Sequence, residues 1–143
     1  MSFMNARVFV DTNILIYAHD TDARDKQTQA ARQLRELWEN GSGILSVQVL
    51  QEFYVNITRK IAKPLPLAQA RGLVALYTAW EVITPEPAAV LLASEMQERH
   101  QLSFWDAMIL TAAIQGNAEL LLTEDLNHGQ VIEGILVQNP LLD

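Results

Sequence analysis

Residues 7–17 read Arg7-Val8-Phe9-Val10-Asp11-Thr12-Asn13-Ile14-Leu15-Ile16-Tyr17. The β-branched and aromatic run from Val8 to Val10 predicts a short buried strand that ends abruptly at the carboxylate of Asp11. An ionisable side chain between two apolar runs is costly to bury unless it is paired or bound to a metal. Because ligand sites of parallel sheets lie at the carboxyl ends of strands, we predict that Asp11 belongs to an active site. A simpler alternative is that Asp11 only caps a following helix.

Beyond this stretch, short apolar strands alternate with amphipathic helices. Further strands are predicted at residues 44–45, 81–84, 120–122 and 134–137. Helices are predicted at residues 24–40, 47–61, 67–80, 88–100 and 104–115. This alternation predicts a single α/β domain over residues 1–143, a three-layer α/β/α sandwich with a mostly parallel sheet of four or five strands.

Composition narrows the class of protein. The chain has 143 residues, 50% of them hydrophobic, which is enough for a substantial core. It has no cysteine, no leader-like amino end and no apolar run long enough to cross a membrane, so we expect a cytoplasmic protein without a membrane partner. The net charge of −7 argues against nucleic-acid binding driven by overall charge. It does not exclude a nuclease whose acids surround bound cations.

Four acidic residues do not fit a solvated surface. Asp11 and Asp125 follow apolar strands, whereas Glu52 and Asp106 lie in apolar helical segments. Each also has a structural explanation: Asp106 completes a capping box with Ser103, Glu52 lies on a polar strip, and Asp125 fits a turn. If the first and fourth strands are neighbours, however, Asp11 and Asp125 meet at one edge of the sheet.

Converging carboxylates need a positive partner, because like charges raise one another's pKa. A set of oxygen ligands suits Mg²⁺ or Mn²⁺, which can activate a water and neutralise charge on a phosphoryl oxygen. Hydrolysis of phosphodiesters is the chemistry that uses such a site most naturally.

The chain also resembles a known family through four motifs in order: Val10-Asp11-Thr12-Asn13, Ser46 followed by Gln51-Glu52-Phe53, Trp105-Asp106-Ala107, and Leu122-Thr123-Glu124-Asp125. These motifs are similar to those of PIN domains, and most similar to the VapC-type toxin ribonucleases of bacteria. The match covers nearly the whole chain. The resemblance implies a PIN-like fold and a Mg²⁺- or Mn²⁺-dependent endoribonuclease that cleaves RNA.

By position in these motifs, Asp11, Glu52, Asp106 and Asp125 carry over as the catalytic acids. We expect Asp11, Asp106 and Asp125 to bind metal directly, and Glu52 to bind metal or act as a base. The resemblance also implies that two residues orient the carboxylates through hydrogen bonds: Asn13 and Thr123. Glu124, beside Asp125, could also reach the metal. If the toxin resemblance holds, a separately encoded antitoxin blocks the site and the domain forms a homodimer.

Other functions are less well supported. A histidine acid–base pair would have to come from three unrelated positions: His19, His100 and His128. The sequence lacks the residue spacing that marks a zinc site and the Gly-x-x-x-x-Gly-Lys spacing that marks a P-loop. For RNA contact, the best basic cluster is Arg59, Lys60 and Lys63, although cations at a helix carboxyl end are also favoured by the helix dipole. A catalytically silent interaction module and a housekeeping RNA-processing nuclease stay open as alternatives.

Overall fold

Residues 6–142 are described by the structure, which is a computed structural model. Six strands within this range form one sheet. They are β1 (Val8–Val10), β2 (Gly43–Ser46), β3 (Glu81–Ile83), β4 (Leu120–Leu122), β5 (Val131–Ile132) and β6 (Ile135–Gln138). Residues 1–5, on which the expected absence of a leader partly rests, and residue 143 at the end of the expected domain lie outside the described residues.

The order of the strands places β1 beside β4, which lies more than a hundred residues later in the chain. The order is β3-β2-β1-β4-β6-β5, and every pairing is parallel except that of β5 with β6. Val10 of β1 is paired with Leu122 of β4, so both strands end at the same edge of the sheet. The order reverses between β1 and β4, which is where open α/β sheets bind their ligands. The predicted mostly parallel α/β fold is confirmed.

The number of strands was predicted incorrectly as four or five. The sixth strand is β5, which pairs with β6 through a hairpin whose two turn residues are Glu133 and Gly134. Their φ angles are 51° and 79°, as a type I′ turn requires. Gly134 therefore belongs to the turn, and the last strand begins at Ile135 rather than at Gly134.

Six α-helices connect the strands of the described chain. They are α1 (Thr12–His19), α2 (Asp25–Asn40), α3 (Val47–Arg59), α4 (Leu67–Tyr77), α5 (Pro87–His100) and α6 (Phe104–Gln115), with a 3₁₀ turn at Thr21–Ala23. The predicted start and end of α6 agree with the structure. Helices α3 and α4 end two and three residues earlier than predicted, and α1 was not assigned from the sequence.

The helices form two layers around the sheet. The chain moves from β1 through β2 to β3 in one direction and then returns to β4, so right-handed crossovers place α1 to α4 on one face and α5 and α6 on the other. Helix α1 packs on α2 and α3, and α5 packs on α6. Most of α6 is buried, which explains its continuous apolar sequence. Within residues 6–142, no helix is both long and apolar enough to span a membrane.

Close packing at the start of β2 generates a stability prediction. A Cβ atom added to Gly43 would overlap the ring of Trp80, which packs edge-on against Trp38 and Tyr77. Gly43→Ala should therefore destabilise the fold by about 1–3 kcal/mol, the usual cost of overpacking. Urea denaturation of the full chain measures the change.

Gly72→Ala is the matched control. Gly72 lies inside α4, and apart from its chain neighbours and the backbone of its own helix no atom lies within 4 Å of the position of an added Cβ. The same substitution should be neutral there or stabilise the helix by up to about 1 kcal/mol. Equal effects of the two substitutions would contradict the packing described at Gly43.

Candidate active site

One cavity of about 460 Å³ lies at the carboxyl edge of β1 and β4. All four acids singled out from the sequence line it: Asp11, Glu52, Asp106 and Asp125. They come from the end of β1, from α3, from the first turn of α6 and from the segment after β4. The fold thus brings together residues that lie more than a hundred positions apart.

Asp11 is the most deeply buried of these acids, with 5% of its surface exposed. Its Oδ1 accepts a hydrogen bond from Thr12 N at 2.7 Å, which caps α1, and its Oδ2 accepts one from Thr123 Oγ1 at 2.8 Å. The pKa of Asp11 is raised from 3.8 to about 7, mainly because the carboxyl group is buried. The hydrogen bonds from Thr123 and Thr12 lower this pKa, and the charges of Asp125 and Glu52 raise it. Asp11 is therefore both the helix cap and a wall of the cavity.

Asp125 is oriented from two sides. Asn13 Nδ2 donates to Asp125 Oδ2 at 3.0 Å, and the backbone N–H of Asp125 donates to Thr123 Oγ1 at 3.0 Å. The pKa of Asp125 is raised by partial burial and then by the negative charge of Asp106. Asn13 thus contacts the carboxylate of Asp125, and Thr123 contacts that of Asp11.

Glu52 enters the cavity from α3 and is held by two side chains. Thr12 Oγ1 donates to Glu52 Oε1 at 2.6 Å, and Gln48 Nε2 lies 3.4 Å from Glu52 Oε2. Gln48 Nε2 also donates to the carbonyl oxygen of Trp105 at 3.3 Å. Thr12 therefore joins the acid on α3 to the segment that carries Asp11, and Gln48 joins the same acid to the start of α6.

Asp106 combines a local role with a place in the cavity. Its backbone N–H donates to Ser103 Oγ at 3.1 Å, so Ser103 caps α6 as predicted. The carboxylate of Asp106 lines the cavity and lies near enough to Asp125 to raise the pKa of that residue.

Glu124 is not among the residues that line the cavity, and its carboxylate has partners of its own. Tyr17 OH donates to its Oε1 at 2.7 Å, and Lys26 Nζ lies 2.9 Å from its Oε2. Burial opposes ionisation of Glu124, but these two contacts outweigh it and lower the pKa of this carboxyl. This geometry favours Asp125 over Glu124 as the acid of the cavity.

The basic and histidine residues are spread over the molecule. Of the three predicted RNA contacts, Lys60 lies in the cavity wall, whereas Arg59 is exposed on α3 and Lys63 lies 3.8 Å from Asp22. His19 contacts Tyr77, His100 pairs with Glu133, and His128 accepts from the N–H of Asn139. In the part of the chain described, no histidine lines the cavity.

Three residues of the site were not identified from the sequence: Thr12, Gln48 and Trp105. Gln48 precedes Glu52 by one helical turn, and that spacing was a usable signal. Thr12 follows Asp11 directly, but its bond to Glu52 joins residues 40 positions apart, which no local pattern reveals.

The donor chemistry of the cavity fits a hydrated divalent cation. Its acids repel one another, and each carboxylate oxygen can accept more than one bond, so the contacts described leave lone pairs for an ion. Among residues 6–142, no group of three or more His, Cys, Asp or Glu side chains is arranged so that it could hold a metal ion by direct contacts alone. Mg²⁺ usually takes only one or two carboxylates directly and keeps several waters, and the cavity has room for them.

Comparison with known proteins places this geometry in a family. The family model of the PIN domain matches residues 8–133, well over half of the chain, and the chain belongs to the PIN domain family. A search among curated proteins found no match.

Several solved structures are similar to this chain, among them three crystal structures. VapC20 of Mycobacterium tuberculosis, described as a toxin that cleaves the sarcin–ricin loop, is 22% identical with a TM-score of 0.64, over 82% of this chain and 91% of that chain. A chain of VapBC2 from Rickettsia felis, bound to a promoter DNA fragment, is 20% identical with a TM-score of 0.63. The match covers 92% of this chain and 97% of that chain. A chain of DNA-bound VapBC from Salmonella typhimurium is 17% identical with a TM-score of 0.63. The match covers 94% of this chain and 98% of that chain.

The raised pKa of Asp11 generates a prediction about stability and pH. A carboxyl group whose pKa is about 7 when folded and 3.8 when unfolded stabilises the fold while it is protonated. That contribution is complete below pH 3.8 and is lost as the pH rises to about 7. Its upper limit is about 4 kcal/mol, since one pKa unit corresponds to about 1.36 kcal/mol.

We expect Asp11→Asn to melt at a higher temperature than wild type in EDTA, by a margin that grows from pH 5 to pH 8. Thermal melts across that range measure the margin. Glu98→Gln, at an exposed acid on α5, controls for the loss of one negative charge. A margin for Asp11→Asn that stays constant with pH would contradict the burial of an ionisable Asp11.

Proposed function

We propose that residues 1–143 form a single nuclease domain that hydrolyses RNA phosphodiesters with Mg²⁺ or Mn²⁺. The observation that carries this proposal is the convergence of four acids, one of them almost fully buried, on one cavity at the point where the strand order reverses. Structural roles explain each acid alone, but they do not explain why all four face the same space.

The residues of the cavity have different roles in this proposal. Asp11, Asp106 and Asp125 would hold the ion, directly or through its waters, while Asn13 and Thr123 fix the directions of two of these carboxylates. When bound, Mg²⁺ or Mn²⁺ supplies an activated water and neutralises charge on the phosphate. Glu52, kept in place by Thr12, either contributes to the ion site or accepts a proton from the attacking water.

Substrate binding requires positive charge next to these acids. Lys60 stands in the cavity wall at the carboxyl end of α3 and is the predicted basic residue best placed to contact a phosphate. Because it lies about two helical turns beyond Glu52, we expect it to contact a backbone phosphate that flanks the cleaved bond. An extended single strand or loop of RNA reaches such a site more easily than a duplex.

The motifs and the shared fold with VapC proteins support a toxin of a toxin–antitoxin pair. We propose that a separately encoded antitoxin occupies or blocks the cavity, where a basic side chain of the partner would compensate the acids. We also propose a cytoplasmic homodimer. The exposed apolar side chains of Val90 and Leu91 on α5 provide a surface suitable for contact between chains.

Cleavage of single-stranded RNA by the purified chain tests the nuclease. With Mg²⁺ or Mn²⁺ we expect cleavage that EDTA abolishes. Asp11→Asn and Asp125→Asn should each reduce it by at least about 100-fold, because each removes charge that holds the ion. Glu124→Gln is the matched variant of Asp125→Asn and should retain most of the activity, because Glu124 contacts Tyr17 and Lys26.

The outcomes separate the candidate functions. Cleavage that survives both EDTA and Asp11→Asn would exclude the metal mechanism. No cleavage of any RNA by wild type would favour a silent interaction module. An equal loss in Glu124→Gln and Asp125→Asn would show that the acid of the cavity was assigned wrongly. A chain that cleaves RNA but has no antitoxin encoded beside it would favour a housekeeping nuclease.

A further inference from the structure

The cavity is elongated along one face of α3. Residues that line it recur every four positions along α3 and its C-cap, from Gln48 through Glu52 and Asn56 to Lys60. At 1.5 Å per residue, this face is about 18 Å long. The acids lie between its two ends, and Lys60 marks one of them.

Trp105 marks the other end. Gln48 Nε2 donates to the carbonyl oxygen of Trp105, which fixes the backbone of Trp105 beside the start of α3. Trp105 lines the cavity, and 63% of the residue is exposed. By contrast, the preceding Phe104 is partly buried against the core and supports the indole edge-on, with ring centroids 5.2 Å apart. Trp105 is therefore a supported aromatic surface next to the acid Asp106.

We infer that Trp105 is a binding residue on which a base of single-stranded RNA stacks, next to the phosphate held at the acids. The inference rests on the proposed nuclease function and adds to it the form in which the substrate binds. A base can stack on an exposed indole only when it is free of its own duplex, and base–aromatic stacking tolerates any sequence. With Lys60 on a phosphate at the opposite end, the strand runs along α3 across the acids.

Binding of short oligoadenylate and oligouridylate RNA strands to the full chain tests this inference. The Asp11→Asn background with Mn²⁺ keeps the RNA intact. We expect Trp105→Ala to raise Kd about tenfold or more, the scale of base–aromatic stacking, and Trp105→Phe to raise it less. A preference for the adenylate strand should be lost with the indole, because a purine offers the larger surface for stacking. Melting temperatures check that each variant is folded.

Leu76→Ala is the matched control. Leu76 is an exposed apolar residue on α4 outside the cavity wall, and its loss should leave Kd unchanged. Equal effects of Leu76→Ala and Trp105→Ala would overturn the inference, as would failure of the background protein to bind either strand.

Further outcomes distinguish this inference from the nuclease proposal. If wild type cleaves RNA but Trp105→Ala changes neither Kd nor KM, the stacking site is wrong and the nuclease stands. If no metal supports cleavage but binding still depends on the indole, the nuclease is wrong and the stacking site stands. If Trp105→Ala leaves RNA binding unchanged and turns a dimer into a monomer in sedimentation, Trp105 is a contact between protein chains and the inference is overturned.

Discussion

A buried carboxylate at the end of the central strand is the constraint around which the site is built. Asp11 N donates to the carbonyl oxygen of Leu122 at 2.9 Å, and Asp11 Oδ2 accepts from Thr123 at 2.8 Å, so main chain and side chain both join β1 to β4. The same junction aligns Asp125 with Asn13. Burial makes the charged form of Asp11 unfavourable, and the neighbouring acids add to this. A bound proton or a bound cation relieves the conflict, and the second possibility connects the fold to catalysis.

Much of this arrangement could be predicted from the sequence, because its signals are local. Helix α6 begins after the capping residue Ser103 and ends before Gly116, so both of its ends are marked. Asp11 and Asp106 stand out because each interrupts an apolar run, where an unpaired charge is costly. The neighbouring positions of β1 and β4 follow less directly, but parallel strands with helical crossovers leave few topologies to choose from.

The remaining features depend on contacts between distant residues or on weak turn signals. Helix α1 was considered only through the alternative that Asp11 caps a following helix, because Asp11-Thr12-Asn13 is as typical of a turn as of a helix start. Strand β5 was missed because its turn, Glu133-Gly134, lacks the usual Asn or Asp. Glu124 and Asp125 could not be separated, because the direction of Glu124 is set by Tyr17 and Lys26, each about a hundred residues away.

The central proposal is that Asp11, Asp106 and Asp125 together hold a divalent cation, and the melting temperature with and without Mn²⁺ tests it most directly. An ion that binds only the folded chain stabilises it by about 2.7 kcal/mol at 100 times its Kd. Mn²⁺ should therefore raise the melting temperature of wild type above its value in EDTA, and raise that of Asp106→Asn less, because this variant has lost a ligand and already relieves the repulsion with Asp125. An equal or larger rise in Asp106→Asn, or no rise in wild type, would contradict a shared cation site.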